Sequence, residues 1–341
     1  MNKELKRNLQ KFLNLKGIFS NFQNGEFKMS VEDDLLKIKE IKKSLNLAIR
    51  AKGSDIADDT KFDQYPVKID GIETGGSTYK IENGVLNSIS KMNLSGKFDD
   101  IETISSSGLR YVFYNVKELE NTELAFPKLV TIGTQGMAMT FSYVQGLKSI
   151  SFPKLTTIEF NGMQDTFLGS SIEQIFFPEL VSIEDGGMSG TFNTMSALQS
   201  DKLNSVTFPK LKSVGQSGMS NCFSGQTSNF KSVEFPELES IGQYSFEETF
   251  KGCKSLQSCT FPKLKEVGNY GLSYCFDSCE RFSEISFPNL TTVQSNSFEN
   301  AFKYCYSLEI HFPASIQSTI EACTGYSDKF GARNSTIYFD L

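Results

Sequence analysis

"ISFPKLTTI", residues 150–158, decides the fold. It returns as "VTFPKLKSV" (206–214), "VEFPELESI" (233–241), "CTFPKLKEV" (259–267) and "ISFPNLTTV" (285–293). Phe-Pro pairs begin at Phe126, Phe152, Phe177, Phe208, Phe235, Phe261, Phe287 and Phe312, at spacings of 26, 25, 31, 27, 26, 26 and 25 residues. Pro66 alone among the 9 prolines stands outside these pairs. A chain that repeats one sentence at such a period is an array of stacked units, because no single unit can bury its own apolar face.

Other columns keep step with Phe-Pro. Ile150, Ile175, Val206, Val233, Ile285 and Ile310 lie two before the Phe. Leu lies three after it, from Leu129 to Leu290, and Ile or Val six after it, from Ile132 to Val293. A large apolar residue then precedes a second Phe by four, as in Met137/Phe141, Met163/Phe167, Phe246/Phe250 and Phe298/Phe302. In "SISFP" the period of two places Ile150 and Phe152 on one face of a strand and Ser149 and Ser151 on the other. Proline ends that strand, since it has no N–H for the ladder. The i, i+4 pair predicts a short helical turn with two apolar groups on one face, entered through Gly136, Gly162, Gly187, Gly218 or Gly271.

The expected fold is therefore a solenoid of short parallel strands and short helical turns, preceded by a small helical N-terminal module. The degenerate ends extend it: Phe98, Ile101, Ile104, Leu109 and Phe113 fit the columns at one end, Ile337 and Phe339 at the other. Ten strand positions at about 4.8 Å give a sheet roughly 45 Å long. The domain reading is an attachment and oligomerisation module with linker at 1–76, the solenoid at 77–312 and a closing segment at 313–341.

Composition narrows the function. The 341 residues carry a net charge of −6, with 30 Phe, 12 Tyr and no Trp. An acidic chain without clustered Lys and Arg is not built to hold a nucleic-acid backbone. No apolar run reaches the ~18 residues of a membrane span. The basic N-terminus has no uninterrupted apolar stretch of the signal-peptide kind, which points to folding in the cytoplasm. Seven cysteines in so long a chain do not make a disulfide framework.

The columns resemble the BspA-type leucine-rich repeats of bacteria, whose units read roughly L-x-x-I-x-[IF]-P-x-x-[LV]-x-x-I-G-x-x-A-F-x-x-C. The resemblance spans about residues 94–341. It implies a leucine-rich repeat solenoid and a function in binding and adhesion.

Residues 1–76 lack the repeat. Val31, Ile38 and Leu45 share one heptad position, with Ile41 and Ala48 at the other. The stripe suits either a self-associating helix, as in a homo-oligomer such as a trimer, or a helix packed on its own solenoid. Residues 35–72, ending in "F-x-x-Y-P-x-K-I-x-G-I", resemble a module of bacteriophage tail-fibre and baseplate proteins. That resemblance implies a non-enzymatic virion protein, assembled in the host cytoplasm and bound through its module to other virion proteins. The alternative is a BspA-like adhesin at the bacterial cell surface, with a surface protein or glycan as partner.

Candidate sites are few. His311, the single histidine, sits in the strand column held elsewhere by Ser151, Thr207, Thr260 and Ser286, and no repeat column supplies a nucleophile with an orienting group beside it. Cys253, Cys279 and Cys305 stand 26 apart, and Cys222 and Cys275 share a column with Thr. A ladder of this kind is not the four-ligand convergence a zinc ion needs. The four aspartates of "DIADDTKFD" (55–63) lack the spacing of a calcium loop. No catalytic, cofactor-binding or metal-ligating residue is assigned. Partner contact falls to the aromatic exceptions in the exposed strand columns, Phe176 and Tyr338, and to Met195 and Leu198 in the longest unit, "NTMSALQSDKL" (193–203).

Overall fold

In a computed structural model of the chain, the described residues are 80–341, apart from 83–84, 88–89, 93–97, 117, 120–122 and 195–200. Val31, Ile38, Ile41, Leu45, Ala48, Met195 and Leu198, and the 35–72 motif, lie outside them.

Each Phe-Pro ends a three-residue strand. The series runs Glu123–Ala125, Ser149–Ser151, Gln174–Phe176, Ser205–Thr207, Ser232–Glu234, Ser258–Thr260, Glu284–Ser286, Glu309–His311 and Thr336–Tyr338. They pair in parallel and in register as three sheets, the first four strands, the next two and the last three, so that Ile150 lies between Leu124 and Ile175, and Ile310 between Ile285 and Ile337. In Ser149–Ser151, Gln174–Phe176 and Glu284–Ser286 the middle residue points inward and the outer two point to solvent, as the period of two requires. Ile337 thus takes the last strand position that its place in the columns predicts.

Proline then occupies the second position of a tight turn. The Leu129 N–H donates to the Phe126 carbonyl at 3.3 Å, and Leu155 and Leu264 do the same to Phe152 and Phe261. Proline presets the backbone angle this turn needs. The chain then enters a two-residue strand. Eight of these, from Thr103–Ile104 to Thr292–Val293, form one parallel sheet in sequence order.

The third side of each coil differs from the expected helical turns. Alternate N–H groups leave their own coil: Gln135, Met137, Met139, Phe141 and Tyr143 donate to Phe160, Gly162, Gln164, Thr166 and Leu168 of the next coil at 2.7–2.9 Å. The intervening residues Gly136, Ala138 and Thr140 close turns onto residues three back. Every fourth residue is left-handed, with φ of 54° at Gln135 and Met139 and 58° at Tyr143. A helix would need all these N–H groups for bonds within its own segment. Here half of them serve the neighbouring coil, and the left-handed residues interrupt the right-handed turn. The period of four survives, so Met137 and Phe141 are both fully buried, on one face as the columns imply.

Two phenylalanine ladders fill the interior. Phe126, Phe152, Phe177, Phe208, Phe235, Phe261, Phe287, Phe312 and Phe339 stack in order with centroids 5.3–6.1 Å apart. Phe113, Phe141, Phe167, Phe192, Phe223, Phe250, Phe276 and Phe302 stack at 5.3–5.6 Å. Coil spacing sets the ring spacing, which lies within the favourable range for aromatic pairs.

Before the first coil, Lys80–Glu82 pairs antiparallel with Val85–Asn87. After the last Phe-Pro, Ala314–Ile316 and the short helix Gln317–Glu321 precede Tyr326–Gly331. Ile320 and Phe330 of this stretch are fully buried. The Phe330 ring meets Phe298 at 5.4 Å, and its carbonyl accepts from the Phe302 N–H at 3.0 Å.

Candidate binding surfaces

The chemically versatile side chains of the interior serve the stack. The thiols of Cys253, Cys279 and Cys305 donate at 3.1 Å to the carbonyls of Phe223, Phe250 and Phe276, one coil back. Gln226 does the same for Phe192 at 2.7 Å. Thr166, Thr191 and Thr249 donate at 2.8 Å to Met137, Met163 and Met219. Most of these carbonyls already accept an N–H from three residues on, as Met137 does from Thr140 and Phe250 from Cys253, so the side chains add a second bond that ties each coil to the one before it. Burial holds the thiols neutral, pushing Cys305 up to about 12 and Cys253 higher still, so they are poor nucleophiles and poor metal ligands.

On the outer face of the three-residue strands, Phe176 is 41% exposed between Ser151 and Thr207. Tyr338 lies in the same column at the far end, with Thr207, Glu234, Thr260, Ser286 and His311 in the strands between. The two aromatic exceptions share a face without forming one site. Tyr338 stacks on His311 at 4.7 Å, and His311 Nδ1 lies 3.0 Å from Asp340. The tertiary structure therefore gives His311 an orienting carboxylate that the repeat columns lack. Ser286 is its register partner in the adjacent strand, but no hydrogen bond joins the Ser286 hydroxyl to the ring among the described residues. His311 and Asp340 tie the last strand to the one before it.

The face made by the left-handed turns went unread in the sequence, because helices were expected there. In the middle coils its left-handed positions hold small or polar residues: Asn161, Asp165, Gly186, Gly190, Ser217 and Asn221. A Cβ on Gly190 would fall 2.1 Å from Asp165 Oδ1, so this glycine makes room for the aspartate. Half-buried there, Asp165 has its pKa pushed from 3.8 up to about 6 by desolvation. A raised carboxylate lets the folded state hold its proton longer than the unfolded one. Stability from this group is thus intact below about pH 4 and falls as pH rises toward 6 and beyond. We expect Asp165→Asn to raise the melting temperature at pH 7.5 by roughly 2–4 °C relative to its effect at pH 4.5, about 1 kcal/mol after allowing for solvent screening. Equal shifts at both pH values in thermal scans would refute the assignment.

In the later coils Tyr244, Tyr270, Tyr274 and Tyr304 take some of these positions. Tyr244 and Tyr270 stack at 4.9 Å. Tyr274 accepts a hydrogen bond from Asn300 at 3.1 Å and has Lys251 and Lys303 over its ring at 5.9 and 5.4 Å. Lys303 and Arg333 each lie 5.2 Å from the Tyr304 centroid, and Arg333 lies 6.0 Å from that of Tyr306. The sequence signal was there, with Tyr270, Tyr274 and Tyr304 at left-handed positions. Knowledge of the turns was needed to read it.

Two parallel strands and a turn-built side per coil, stacked at a period near 26, define a leucine-rich repeat solenoid. The chain matches the BspA type leucine rich repeat region, in 6 copies, over residues 61–191, 102–247 and 194–328. It belongs to that family. A solved leucine-rich repeat protein from Bacteroides ovatus is similar at 18% identity, covering 76% of this chain and 75% of its own, with a TM-score of 0.36. A leucine rich cell surface protein from Faecalibacterium prausnitzii is similar at 16% identity, covering 71% of each chain, with a TM-score of 0.30. No curated protein matches the chain. Among the described residues no helix is long and apolar enough to cross a membrane.

Proposed function

We propose that this protein is a non-enzymatic adhesin of the BspA-like kind, displayed at a bacterial surface, where its solenoid binds a surface protein or glycan. The observation that carries this reading is the use made of the interior. Phe, Leu and Ile ladders occupy it throughout, and its Cys and Thr side chains are committed to backbone carbonyls. Recognition then falls to the long outer faces, which is how repeat proteins bind. Membership in a family of binding and adhesion proteins supports the same reading. In it, residues 1–76 attach or oligomerise the chain and residues 313–341 close the stack.

A virion protein is the second reading, favoured by one observation, the motif within residues 35–72. Neither the family match nor the similar structures lends it support, and the adhesin reading stands ahead of it.

Protease shaving of intact source cells, with mass spectrometry of the released peptides and of gradient-purified phage particles from the same culture, separates the two. Release of solenoid peptides from unbroken cells is the expected result. Peptides that appear only after lysis would overturn it, and stoichiometric recovery with the particles would install the virion reading in its place.

A further inference from the structure

Tyrosine is a costly residue at a left-handed position. A bulky side chain with positive φ is an outlier that persists where the surroundings impose it, and such residues concentrate at ligand-contacting sites. Tyr274 and Tyr304 adopt φ of 51° and 60°. Equivalent positions in the middle coils hold Asp165, Gly190, Asn221 and Glu248 for the first, and Gly169, Gly225 and Gly252 for the second, while Tyr111 and Tyr143 hold them near the other end. Both ends of the stack therefore carry aromatic rings at these two positions, which the middle coils fill with small or polar residues.

These rings gather the cations of the region. Lys303 lies between Tyr274 and Tyr304, and Arg333 between Tyr304 and Tyr306. Most lysines that bridge coils elsewhere end on carboxylates: Lys128 on Asp100, Lys210 on Glu179, Lys263 on Glu237 and Lys265 on Glu239, at 2.6–2.7 Å. Lys303 and Arg333 have no carboxylate partner among the described residues. Three acids of the region have other partners: Glu248 holds Lys251 at 2.6 Å, the buried Asp277 accepts from the Ser278 hydroxyl at 2.7 Å, and Asp328 accepts from the Gly331 N–H at 3.2 Å. Tyr304 and Tyr306 remain 41% and 46% exposed, and Arg333 is exposed beside them. The backbone holds Arg333 in place, its N–H on the Cys305 carbonyl at 2.8 Å and its own carbonyl on the Ser307 N–H at 2.9 Å.

We propose that Tyr274, Lys303, Tyr304, Arg333 and Tyr306 form a binding surface for an acidic polysaccharide of low charge density, carrying uronate carboxylates spaced along pyranose rings. The exposed rings and hydroxyls of Tyr304 and Tyr306 suit sugar rings, and the cations beside them suit carboxylates. Tyr and Arg are also the residues that contribute most at binding surfaces. Charge density decides against denser polyanions: a chain of net charge −6 repels them as a whole, while one local pair of cations can still hold a sparse one. The inference deepens the adhesin reading by naming a ligand class. The two fail separately, since shaving reads location and the following experiment reads chemistry.

The test is biolayer interferometry of the full chain on immobilised hyaluronan, which bears one carboxylate per disaccharide, with dextran as the neutral control and poly(dT) as the competing polyanion. Binding to hyaluronan and not to dextran is expected, weakening at high salt. The double variant Lys303→Gln/Arg333→Gln should lose at least about tenfold in affinity and Tyr306→Ala about fivefold, while Lys128→Gln at the other end should match the wild type. Circular dichroism melts establish that each variant is folded, and the exposed Tyr306 site keeps the test open if the double variant is not. Absence of hyaluronan binding by the wild type, or unchanged affinity in the folded variants, would overturn the proposal. Tighter binding of poly(dT) would also overturn it and mark the surface as one for single-stranded nucleic acid.

Discussion

Replacing Phe167 by Ala is expected to lower the unfolding free energy by about 3–5 kcal/mol. Phe167 is 1% exposed and stacks on Phe141 and Phe192 at 5.6 and 5.5 Å, with its ring within 2° of both. The substitution removes the transfer free energy of a fully buried ring and leaves a cavity that the rigid coils above and below cannot close. It also breaks two aromatic contacts worth about 0.5–1.5 kcal/mol each beyond area burial. In a solenoid each coil touches only its neighbours, so the damage sits at one interface and uncouples the coils on either side. We therefore expect the single unfolding transition in urea to shift to lower denaturant and to broaden or split. Phe160→Ala is the matched control, because Phe160 is 49% exposed and outside the ladder; its effect should stay within about 0.5 kcal/mol. A loss below 1 kcal/mol at Phe167 would mean that the ladders are not what holds the coils together.

Ending the chain at Pro313 is the second change with a large expected effect. It strips Phe339 from Phe312, Phe330 from Phe298 and Ile337 from Ile310. Phe298, Phe302, Ile310 and Phe312, all now fully buried, would face water at the end of the stack. At about 1.5–3 kcal/mol for each large apolar side chain, the loss is on the order of 6–12 kcal/mol, comparable with the whole stability of a typical domain. The open coil would also present unpaired strand groups, a template for other copies. We expect the truncated chain in the insoluble fraction, or as aggregates that bind a hydrophobic dye on size-exclusion chromatography. Recovery of a monomer melting at the full-length temperature would show that residues 314–341 do not close the solenoid.

Much of this fold was legible in the sequence because a repeat is a local code read many times over. A column that holds Phe in unit after unit can be assigned to the interior without knowing the tertiary structure, and Phe152, Leu155, Ile158 and their equivalents are buried as their columns require, with Val293 near the end partly so. Phe-Pro could be read as a strand end, since proline lacks the N–H and presets the following turn. The serines of "SISFP" could be placed outward by parity alone.

The third side of the coil could not be read that way. A spacing of four between apolar residues is shared by a helix and by a chain of turns with a left-handed residue at every fourth place. The choice between them belongs to the neighbouring coil, whose carbonyls take half of the N–H groups. The cysteine column shows the same division. Its small buried character follows from the sequence, whereas the bond from each thiol to a phenylalanine carbonyl exists only once the coils are stacked. The tyrosine–cation surface goes furthest in this direction, joining Tyr274, Lys303, Tyr304, Tyr306 and Arg333 across successive coils. Sequence by itself determined the period, the interior and the ends of the strands, because these depend on local geometry and apolar burial. Tertiary structure alone decided where the backbone bonds go and which side chains meet outside, because those depend on residues a full coil away.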